Sequence, residues 1–330
     1  MKAELRRAGI IATGSYAPPR VLTNFDLEKM VDTSDEWIRS RTGIVERRIA
    51  DADTSTSDLA LASARAALES AEMKAGDVDL IVVATVTPDM WFPCTASLLQ
   101  QALGATRAAA FDILVGCTGF VCGCAVASEM ISAGGYDRAL VIGSETLSRI
   151  ADWTDRSTCV LFGDGAGAAI VAPVEEGRGI LTYSLGNDGT HADALKIRAG
   201  GSRMPASEET VAKRLHYLTM NGPEVFKFAV RAMTESSEKA VSRAGLSMSD
   251  IDVVIPHQAN LRIIDAAAKR LNIPYERFVR NLDRYGNTSA ASIPLALDEA
   301  VRGGRIQPGD NVLLSSFGAG LSWGTMVLRW

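Results

Sequence analysis

The sequence predicts an α/β protein built from two copies of one unit. Short apolar runs alternate with segments of helical composition, a pattern typical of parallel sheets covered by helices on both faces. Two stretches in the first part of the chain also resemble two stretches in the second part. The length of 330 residues exceeds what one compact core usually organises, because domains cluster near about 100–200 residues. A body of two fused halves is therefore expected.

The elements follow one another along the whole chain. The apolar runs predict strands at Leu80–Ala84, Ala139–Gly143, Ala168–Val171, Ile251–Ile255, Val312–Ser316 and Thr325–Leu328. Segments rich in Ala, Leu and Lys predict helices at Thr56–Ser70, Thr118–Ser132, Pro223–Ala244, Ile263–Leu271 and Ala290–Val301.

The internal repeat is the most informative feature. When residues 64–82 are placed over residues 237–255, Asp79 aligns with Asp252. The same offset places residues 136–143 over residues 309–316. Two stretches with one offset favour duplication, although any two β-α units of like composition can align this well.

Duplication divides the chain into an N-terminal half, residues 1–175, and a C-terminal half, residues 176–330. A slightly smaller offset aligns Cys117 with Asn287, each at the start of a predicted helix. Pseudo-twofold symmetry is expected to bring both to one seam. His257 follows a predicted strand and can reach the same seam, because side chains at the carboxyl ends of α/β strands often form the site.

Composition excludes several classes of function. A formal net charge of −5 argues against nucleic-acid binding, and 47% hydrophobic with 22% charged residues is ordinary globular composition. The longest apolar stretch, residues 113–128, is below the roughly 18–20 residues that cross a bilayer. The N-terminus lacks the apolar stretch of a signal peptide. Five cysteines, an odd number, favour reduced thiols and a cytoplasmic location.

Three residues are candidates for catalysis. Cys117 precedes a predicted helix, where unpaired N–H groups and the helix dipole stabilise a thiolate; a buried inert cysteine is the alternative. His257, in a strand-end IPHQAN segment, is a candidate proton or hydrogen-bond donor or a structural histidine. Asn287 is a candidate because the repeat aligns it with Cys117. The alternative is a plain turn residue, since Gly-Asn-Thr-Ser is typical of turns. Cys122 and Cys124 are interpreted as core residues.

Two further patterns concern ligands. Residues 33–36, Thr-Ser-Asp-Glu, predict a capping box with Thr33 as N-cap, and the helix would carry Trp37 and Arg41 on one face. Such a pair suits an adenine ring with phosphate nearby, or forms a plain surface cation–π pair. Arg262, Lys269 and Arg270 form a basic helical face, either solvated or a docking surface for an acidic protein.

The segments FDILVGCTGF, IPHQANLRI, RYGNTSAASIPLAL and SFGAGLSWG together resemble β-ketoacyl-acyl carrier protein synthase III, the initiating condensing enzyme of type II fatty acid synthesis. The resemblance runs nearly end to end. It implies a thiolase-like fold, a duplicated α-β-α-β-α layered body, and a homodimer. It also implies that acyl-CoA acylates a cysteine, that malonyl-acyl carrier protein then condenses with the acyl group, and that no metal or bound cofactor is required.

The resemblance also implies roles for individual residues. Cys117, His257 and Asn287 match the catalytic triad, and the backbone N–H groups of Cys117 and Ala319 match the oxyanion hole. The remaining matches are to CoA-binding residues (Thr33, Trp37, Arg41, Arg156, Asn260), to a carrier-protein patch (Lys227, Arg262, Lys269, Arg270) and to an acyl-pocket residue that reaches across the dimer (Phe92). The bulk of Phe92 predicts a short primer such as acetyl.

Three departures from the family pattern leave the primer open. Gly116 stands where the family often has alanine, Ala319 replaces a glycine, and the segment VTPDMWFPC is bulky. A relative in secondary metabolism that uses the same triad is an alternative. A catalytically silent scaffold is a further alternative, against which the intact triad argues.

Overall fold

The computed structural model describes residues 6–330, so the first five residues of the N-terminal segment searched for a signal peptide lie outside the described residues. Two β-sheets are each covered by helices on an outer face and are separated by a central helical layer. The sequence has therefore folded as the predicted α-β-α-β-α layers.

The chain contains these strands: β1 (Ala8–Tyr16), β2 (Val21–Thr23), β3 (Glu46–Arg48), β4 (Leu80–Ala84), β5 (Ala109–Ile113), β6 (Ala139–Glu145), β7 (Gly165–Pro173), β8 (Gly179–Asn187), β9 (Leu195–Ile197), β10 (Leu218–Met220), β11 (Val253–Pro256), β12 (Asn311–Gly318) and β13 (Ser322–Arg329). Its α-helices are α1 (Asn24–Leu27), α2 (Asp35–Thr42), α3 (Thr56–Ser70), α4 (Thr95–Leu103), α5 (Gly119–Ser132), α6 (Glu208–Ala212), α7 (Gly222–Arg243), α8 (Leu261–Leu271), α9 (Leu282–Tyr285) and α10 (Ser292–Arg302).

The two main sheets share one topology. The first has the order β1-β7-β6-β4-β5, and the second has the order β8-β13-β12-β11. In both, one corresponding pair is parallel (β4 with β6, β11 with β12) and the next two pairings are antiparallel. Leu80 lies opposite Ala139 and Val253 lies opposite Val312, so the pairing register repeats with the same offset as the sequence.

A carboxylate clamp repeats with the strands. Asp79 accepts hydrogen bonds from the backbone N–H groups of Asp137 and Arg138, at 2.8 and 2.9 Å. Asp252 accepts one from the N–H of Asn311 at 2.9 Å. The aligned aspartates thus fix the start of the same parallel strand pair in each sheet.

The central layer consists of α5 and α10, which pack between the sheets. Phe120 on α5 is fully buried, and Leu297 on α10 joins the same core cluster. Burial of each such side chain contributes about 1.5–3 kcal/mol. Helices α3 and α4 cover the first sheet from outside, whereas α7 and α8 cover the second. The cysteine-bearing helix is therefore held from both sides.

All six predicted strands and all five predicted helices are present, with ends shifted by at most a few residues. The prediction that Thr33 caps helix α2 is wrong. Ser34 is the N-cap, and its hydroxyl accepts a hydrogen bond from the Trp37 N–H at 3.1 Å, because that group lies three residues beyond Ser34 rather than Thr33. Within residues 6–330, the helices all fall short of the length and apolarity that a membrane span requires.

The chain passes from the first sheet to the second between Pro173 and Gly179. A division of the chain at residues 175 and 176 would therefore cut a connection and leave both sheets whole. This boundary between the two halves stays a prediction.

Candidate active site

A cavity of about 460 Å³ opens where the carboxyl ends of the parallel strands of both sheets meet. Cys117 reaches it from the first half, whereas His257 and Asn287 reach it from the second. The three residues that sequence and resemblance singled out are thus brought together, although they come from distant parts of the chain.

Cys117 lies in a single turn of 3-10 helix, Gly116–Thr118, directly before α5. Gly116 has a φ of 59°, a conformation that glycine adopts without strain and that lets β5 turn into the helix. A Cβ atom on Gly318 would lie 2.9 Å from the Cys117 nitrogen, and one on Gly116 would lie 3.4 Å from the Ala319 nitrogen. The backbone amides of Cys117 and Ala319 are therefore neighbours at the cavity wall.

Opposing effects act on the pKa of the Cys117 thiol. Burial raises the pKa of its thiol to about 12, with the nearby Glu145 carboxyl acting in the same direction and the Ser289 hydroxyl opposing both. The backbone N–H of Cys117 lowers the pKa of the thiol, in the direction that the sequence predicts, but burial acts against it. Desolvation of the charged sulfur outweighs the favourable N–H groups.

His257 directly follows β11 and is only 1% exposed. Its backbone N–H is bonded to the Ser315 carbonyl at 2.8 Å, and its ring meets the edge of Phe317, with the centroids 5.2 Å apart. Both ring nitrogens are buried and lack a partner within residues 6–330. Burial lowers the pKa of His257 to about 3, so the ring is neutral and one of its nitrogens carries a proton to donate.

Asn287 lies between α9 and α10, in a parallel bridge to Phe162 of the first half. Its side-chain oxygen accepts a hydrogen bond from the Ser289 N–H at 2.9 Å. This bond orients the amide, and it leaves the side-chain nitrogen Nδ2 without a bond to the described part of the chain. His257 and Asn287 therefore both offer hydrogen-bond donors to the cavity.

At the mouth, Trp37, Arg41 and Asn260 line the cavity, whereas Thr33 and Arg156 do not. The Trp37 ring is stacked by the guanidinium of Arg156, 5.1 Å from the ring centroid, rather than by Arg41. Asn260 caps α8 through the Arg262 N–H and donates to the Arg41 carbonyl at 3.1 Å.

The remaining predicted residues lie on the surface. Phe92 is 85% exposed and does not line the cavity of the single chain. Lys227 on α7 and Arg262, Lys269 and Arg270 on α8 are exposed on two helices that pack against each other. The four cations form no ion pair with the described part of the chain.

The sequence patterns did not single out Glu145, Ser289 and Phe317, which lie beside the three predicted residues. Phe317 and Glu145 occupy the ends of β12 and β6, and Ser289 lies two residues beyond Asn287. The one signal available was a carboxylate inside an otherwise apolar strand end, in the segment ALVIGSE.

The doubled α/β body and a cavity shared by a cysteine, a histidine and an asparagine define a condensing enzyme of the thiolase type. Family models described as 3-oxoacyl-[acyl-carrier-protein] synthase III match residues 111–189, and as its C-terminal part, residues 241–330. The chain belongs to the β-ketoacyl-[acyl-carrier-protein] synthase III family, the acyl-transferring condensing enzymes that initiate fatty acid synthesis.

Individual relatives cover almost the whole chain. A β-ketoacyl-[acyl-carrier-protein] synthase III of Caldanaerobacter subterraneus subsp. tengcongensis is 59% identical over 98% of both chains. One of Symbiobacterium thermophilum is 58% identical over 99% of both. The crystal structure of the Thermus thermophilus synthase III is 52% identical, with a TM-score of 0.91, and covers 98% of this chain and 99% of that one.

Proposed function

We propose that this chain takes a short acyl group from acyl-CoA onto Cys117 and condenses it with malonyl-acyl carrier protein to give 3-oxoacyl-acyl carrier protein. The observation that carries the proposal is the meeting of Cys117, His257 and Asn287 in one cavity with free donors facing it. The enzyme is proposed to act in the cytoplasm, in keeping with its five free cysteines.

The first stage makes a thioester. The sulfur of Cys117 attacks the acyl carbonyl of acyl-CoA, and the CoA thiol leaves. The developing oxyanion needs donors, and the neighbouring backbone N–H groups of Cys117 and Ala319 are proposed to supply them. The close approach of Gly318 to the Cys117 backbone supports this role.

The second stage forms the carbon–carbon bond. Malonyl-acyl carrier protein loses carbon dioxide, and the resulting enolate oxygen accepts hydrogen bonds from the His257 ring and the Asn287 amide. The carbanion attacks the acyl carbonyl, and the Cys117 sulfur leaves. A neutral histidine suits this role, because it donates a hydrogen bond without needing to lose or gain a proton.

Intact mass measurement tests the nucleophile. Incubation with acetyl-CoA and with longer or branched acyl-CoAs is expected to add one acyl group to the wild type and none to Cys117→Ala. Cys122→Ala is the matched control, since Cys122 is a half-buried cysteine on the helix that follows Cys117, and it is expected to keep the adduct. The absence of an adduct with every acyl-CoA would refute the proposal.

The CoA nucleotide is proposed to bind at the cavity mouth. Trp37 and Arg156 provide an aromatic face and a guanidinium for the adenine. Arg41 provides positive charge for a phosphate group, and Asn260 is proposed to contact the pantetheine arm. Thr33 lies just before the helix that carries Trp37. Trp37→Ala is expected to raise the acyl-CoA concentration needed for acylation and to leave the maximal rate close to that of the wild type. An unchanged concentration dependence would contradict this placement.

The acyl carrier protein is proposed to dock on the exposed cations of α7 and α8, which are Lys227, Arg262, Lys269 and Arg270. Their lack of ion-pair partners in the described part of the chain supports this role. Replacing Lys269 and Arg270 with Glu is expected to slow condensation with malonyl-acyl carrier protein and to spare acylation by acyl-CoA. Arg107→Glu, at an exposed cation in the other half, is the control. Equal loss of both half-reactions would argue against docking.

A homodimer is proposed to complete the acyl pocket. Met90, Trp91, Phe92 and Leu114 expose large apolar side chains, with Trp91 72% and Leu114 65% exposed, and an apolar patch of this kind marks an interface. Trp91 and Leu114 also line the cavity, so the patch and the pocket share a wall. In a dimer, Phe92 is proposed to enter the partner subunit's pocket and to limit the primer to a short acyl group.

Two measurements test the dimer. Light scattering is expected to give twice the chain mass. Phe92→Ala is expected to extend acylation to longer acyl-CoAs, whereas Phe25→Ala, which removes another exposed phenylalanine, leaves the primer range unchanged. A monomeric wild type, or an unchanged primer range in Phe92→Ala, would contradict the proposal.

A further inference from the structure

Arg47 is a completely buried charged residue to which the reaction above gives no role. It lies in β3 of the first half. One terminal nitrogen of its guanidinium donates hydrogen bonds to the Leu22 carbonyl at 3.2 Å and to the Asn24 side-chain oxygen at 2.9 Å. The other terminal nitrogen donates to the Val160 carbonyl at 2.8 Å. The guanidinium therefore ties together two segments of the first half that are distant in the sequence.

The charge of Arg47 is not neutralised by a direct partner. Its hydrogen-bond acceptors are uncharged oxygens, and residues 6–330 offer it no ion pair. Burial lowers the pKa of Arg47 to about 10, which leaves the side chain charged at neutral pH. Asn24 passes the interaction on, because its side-chain nitrogen donates to the Asp35 carboxylate at 2.9 Å. A buried cation without a direct partner opposes folding, so its presence here calls for a role.

The Val160 end of this network lies beside Asn287, which belongs to the second half. Residues 161–163 follow Val160 and pair with Asn287 in the parallel bridge. The Asn287 N–H donates to the Leu161 carbonyl at 2.8 Å, and the Gly163 N–H donates to the Asn287 carbonyl at 3.0 Å. The first half therefore fixes both backbone groups of Asn287.

The stem of Arg47 packs between the paired segments. A Cβ atom on Gly163 would lie 3.0 Å from the Arg47 Cβ and would collide with the Tyr285 carbonyl oxygen. A Cβ atom on Gly286 would lie 3.3 Å from the Arg47 Cβ. Glycine at both positions thus lets the two segments that meet at Asn287 approach Arg47 closely.

We propose that Arg47 is a positioning residue for Asn287. It holds the segment of the first half with which the Asn287 backbone pairs, and it thereby aims the Asn287 amide at the enolate oxygen during condensation. A guanidinium suits this task because its planar fork presents donors in fixed directions, whereas a lysine ammonium is a compact charge on a flexible stem. The inference rests on the proposed role of Asn287.

Acylation depends on other elements. Cys117 lies in the turn before α5, and Ala319 directly follows β12. None of the hydrogen bonds of Arg47 goes to either element. A displaced Asn287 is therefore expected to slow condensation and to spare acylation, whereas a general loss of packing slows both half-reactions.

The experiment compares Arg47→Lys and Arg47→Met with the wild type in two separate assays, acyl-adduct formation from acetyl-CoA and 3-oxoacyl product formation from malonyl-acyl carrier protein. Both variants are expected to lower kcat for condensation about 10–100-fold, because a displacement of about 1 Å has effects of this size. The KM for malonyl-acyl carrier protein and the acylation rate are expected to stay near wild type. Wild-type condensation in Arg47→Lys, which keeps the charge, would overturn the proposal, and so would an equal loss of both half-reactions.

Arg6→Lys is the matched control. It makes the same change at another arginine of the first half that donates to two backbone carbonyls, those of Ile131 and Tyr136 at 2.9 and 2.7 Å, and that does not line the cavity. It is expected to match the wild type in both assays. The same selective loss of condensation in Arg6→Lys would overturn the specific role of Arg47.

Two further variants separate positioning from general stability. Adding Arg47→Lys to Asn287→Asp is expected to slow condensation little more than Asn287→Asp alone, because Arg47 acts through an amide that is already lost. Gly163→Ala keeps Arg47 and pushes against the segment that carries Asn287, so it is expected to slow condensation selectively, and it decides the question if the Arg47 variants do not fold. Additive losses in the double variant, or wild-type condensation in Gly163→Ala, would overturn the proposal. Unchanged condensation in Asn287→Asp alone would instead refute the proposed function of Asn287 itself.

Discussion

The two sheets of this protein share strand order, register and the aspartate clamp, yet their strand ends carry different chemistry. β6 ends at Glu145, and the aligned β12 of the second half ends at Gly318. Glu145 places a buried carboxyl at this position of the first half. Gly318 has no side chain at the same position of the second half, and this leaves room for the backbone of Cys117. The scaffold has been kept in both halves, and the catalytic groups have been divided between them.

This division sets a rule for mutations. Changes at strand ends are expected to affect one half-reaction or one direction of pH dependence. Changes in the repeated scaffold are expected to lower stability according to the number of hydrogen bonds that each half loses.

The largest effect is expected from Asn287→Asp. The substitution keeps an oxygen for the Ser289 N–H but removes the amide donor that faces the cavity. Condensation is expected to fall by about 10²–10³-fold, because one oxyanion donor is lost, while acylation of Cys117 stays near wild type. Separate assays of acyl-adduct formation and of 3-oxoacyl product check this. Loss of acylation to the same extent would show that acylation and condensation do not depend on separate residues of the two halves.

Gly318→Ala tests the close approach between the halves. The new Cβ atom would lie 2.9 Å from the Cys117 nitrogen, so the backbone must shift. We expect a loss of about 1–3 kcal/mol in the free energy of unfolding and slower acylation. Gly76→Ala, which meets open space, is the control in denaturant unfolding and in the adduct assay. Wild-type stability and acylation in Gly318→Ala would mean that this contact is not tight.

The pH dependence of stability separates the buried groups of the two halves. His257 has a folded pKa of about 3, below its unfolded value, so its contribution is present above about pH 6.5 and is lost as pH falls toward 3. Glu145 has a folded pKa of about 7, above its unfolded value, so its contribution is present below about pH 4.5 and is lost as pH rises through 7. Between about pH 4.5 and 6.5, the effect of His257 makes stability rise with pH, whereas the effect of Glu145 makes it fall.

Unfolding titrations between pH 4.5 and 6.5 check these signs. Glu145→Gln is expected to make stability rise more steeply with pH, and His257→Gln is expected to make it fall with pH. Each change in slope is at most about 1.4 kcal/mol per pH unit. If stability changed with pH by the same slope in the wild type and both variants, the pKa shifts of Glu145 and His257 would be contradicted.

The smallest effect is expected in the shared scaffold. Asp79→Ala removes an acceptor of two backbone hydrogen bonds and is expected to cost about 1–2 kcal/mol of unfolding free energy. Asp252→Ala removes an acceptor of one such bond, on a more exposed residue, and is expected to cost about 1 kcal/mol or less. Thermal unfolding compares them, and a larger loss for Asp252→Ala would argue against equivalent clamps.

Much of the fold could be predicted from local patterns. Leu80–Ala84 and Thr56–Ser70 have the predicted bounds, because an unbroken apolar run and a capped helical repeat specify them locally. Strands β1, β5 and β8 and helix α4 were not predicted. The first strand, AGIIATGSY, contains two glycines and two alanines, which are weak strand formers, and its pairing with β7 stabilises it as a strand.

By itself, the sequence determined the repeat, the layered fold and the three catalytic candidates, because spacing and residue type are local properties of the chain. Only the tertiary structure decided the protonation states. The Cys117 thiol lies where desolvation outweighs the helix terminus, and Glu145 lies where burial raises its pKa to about 7. A pKa depends on every atom around a group, and those atoms come from segments far apart in the chain.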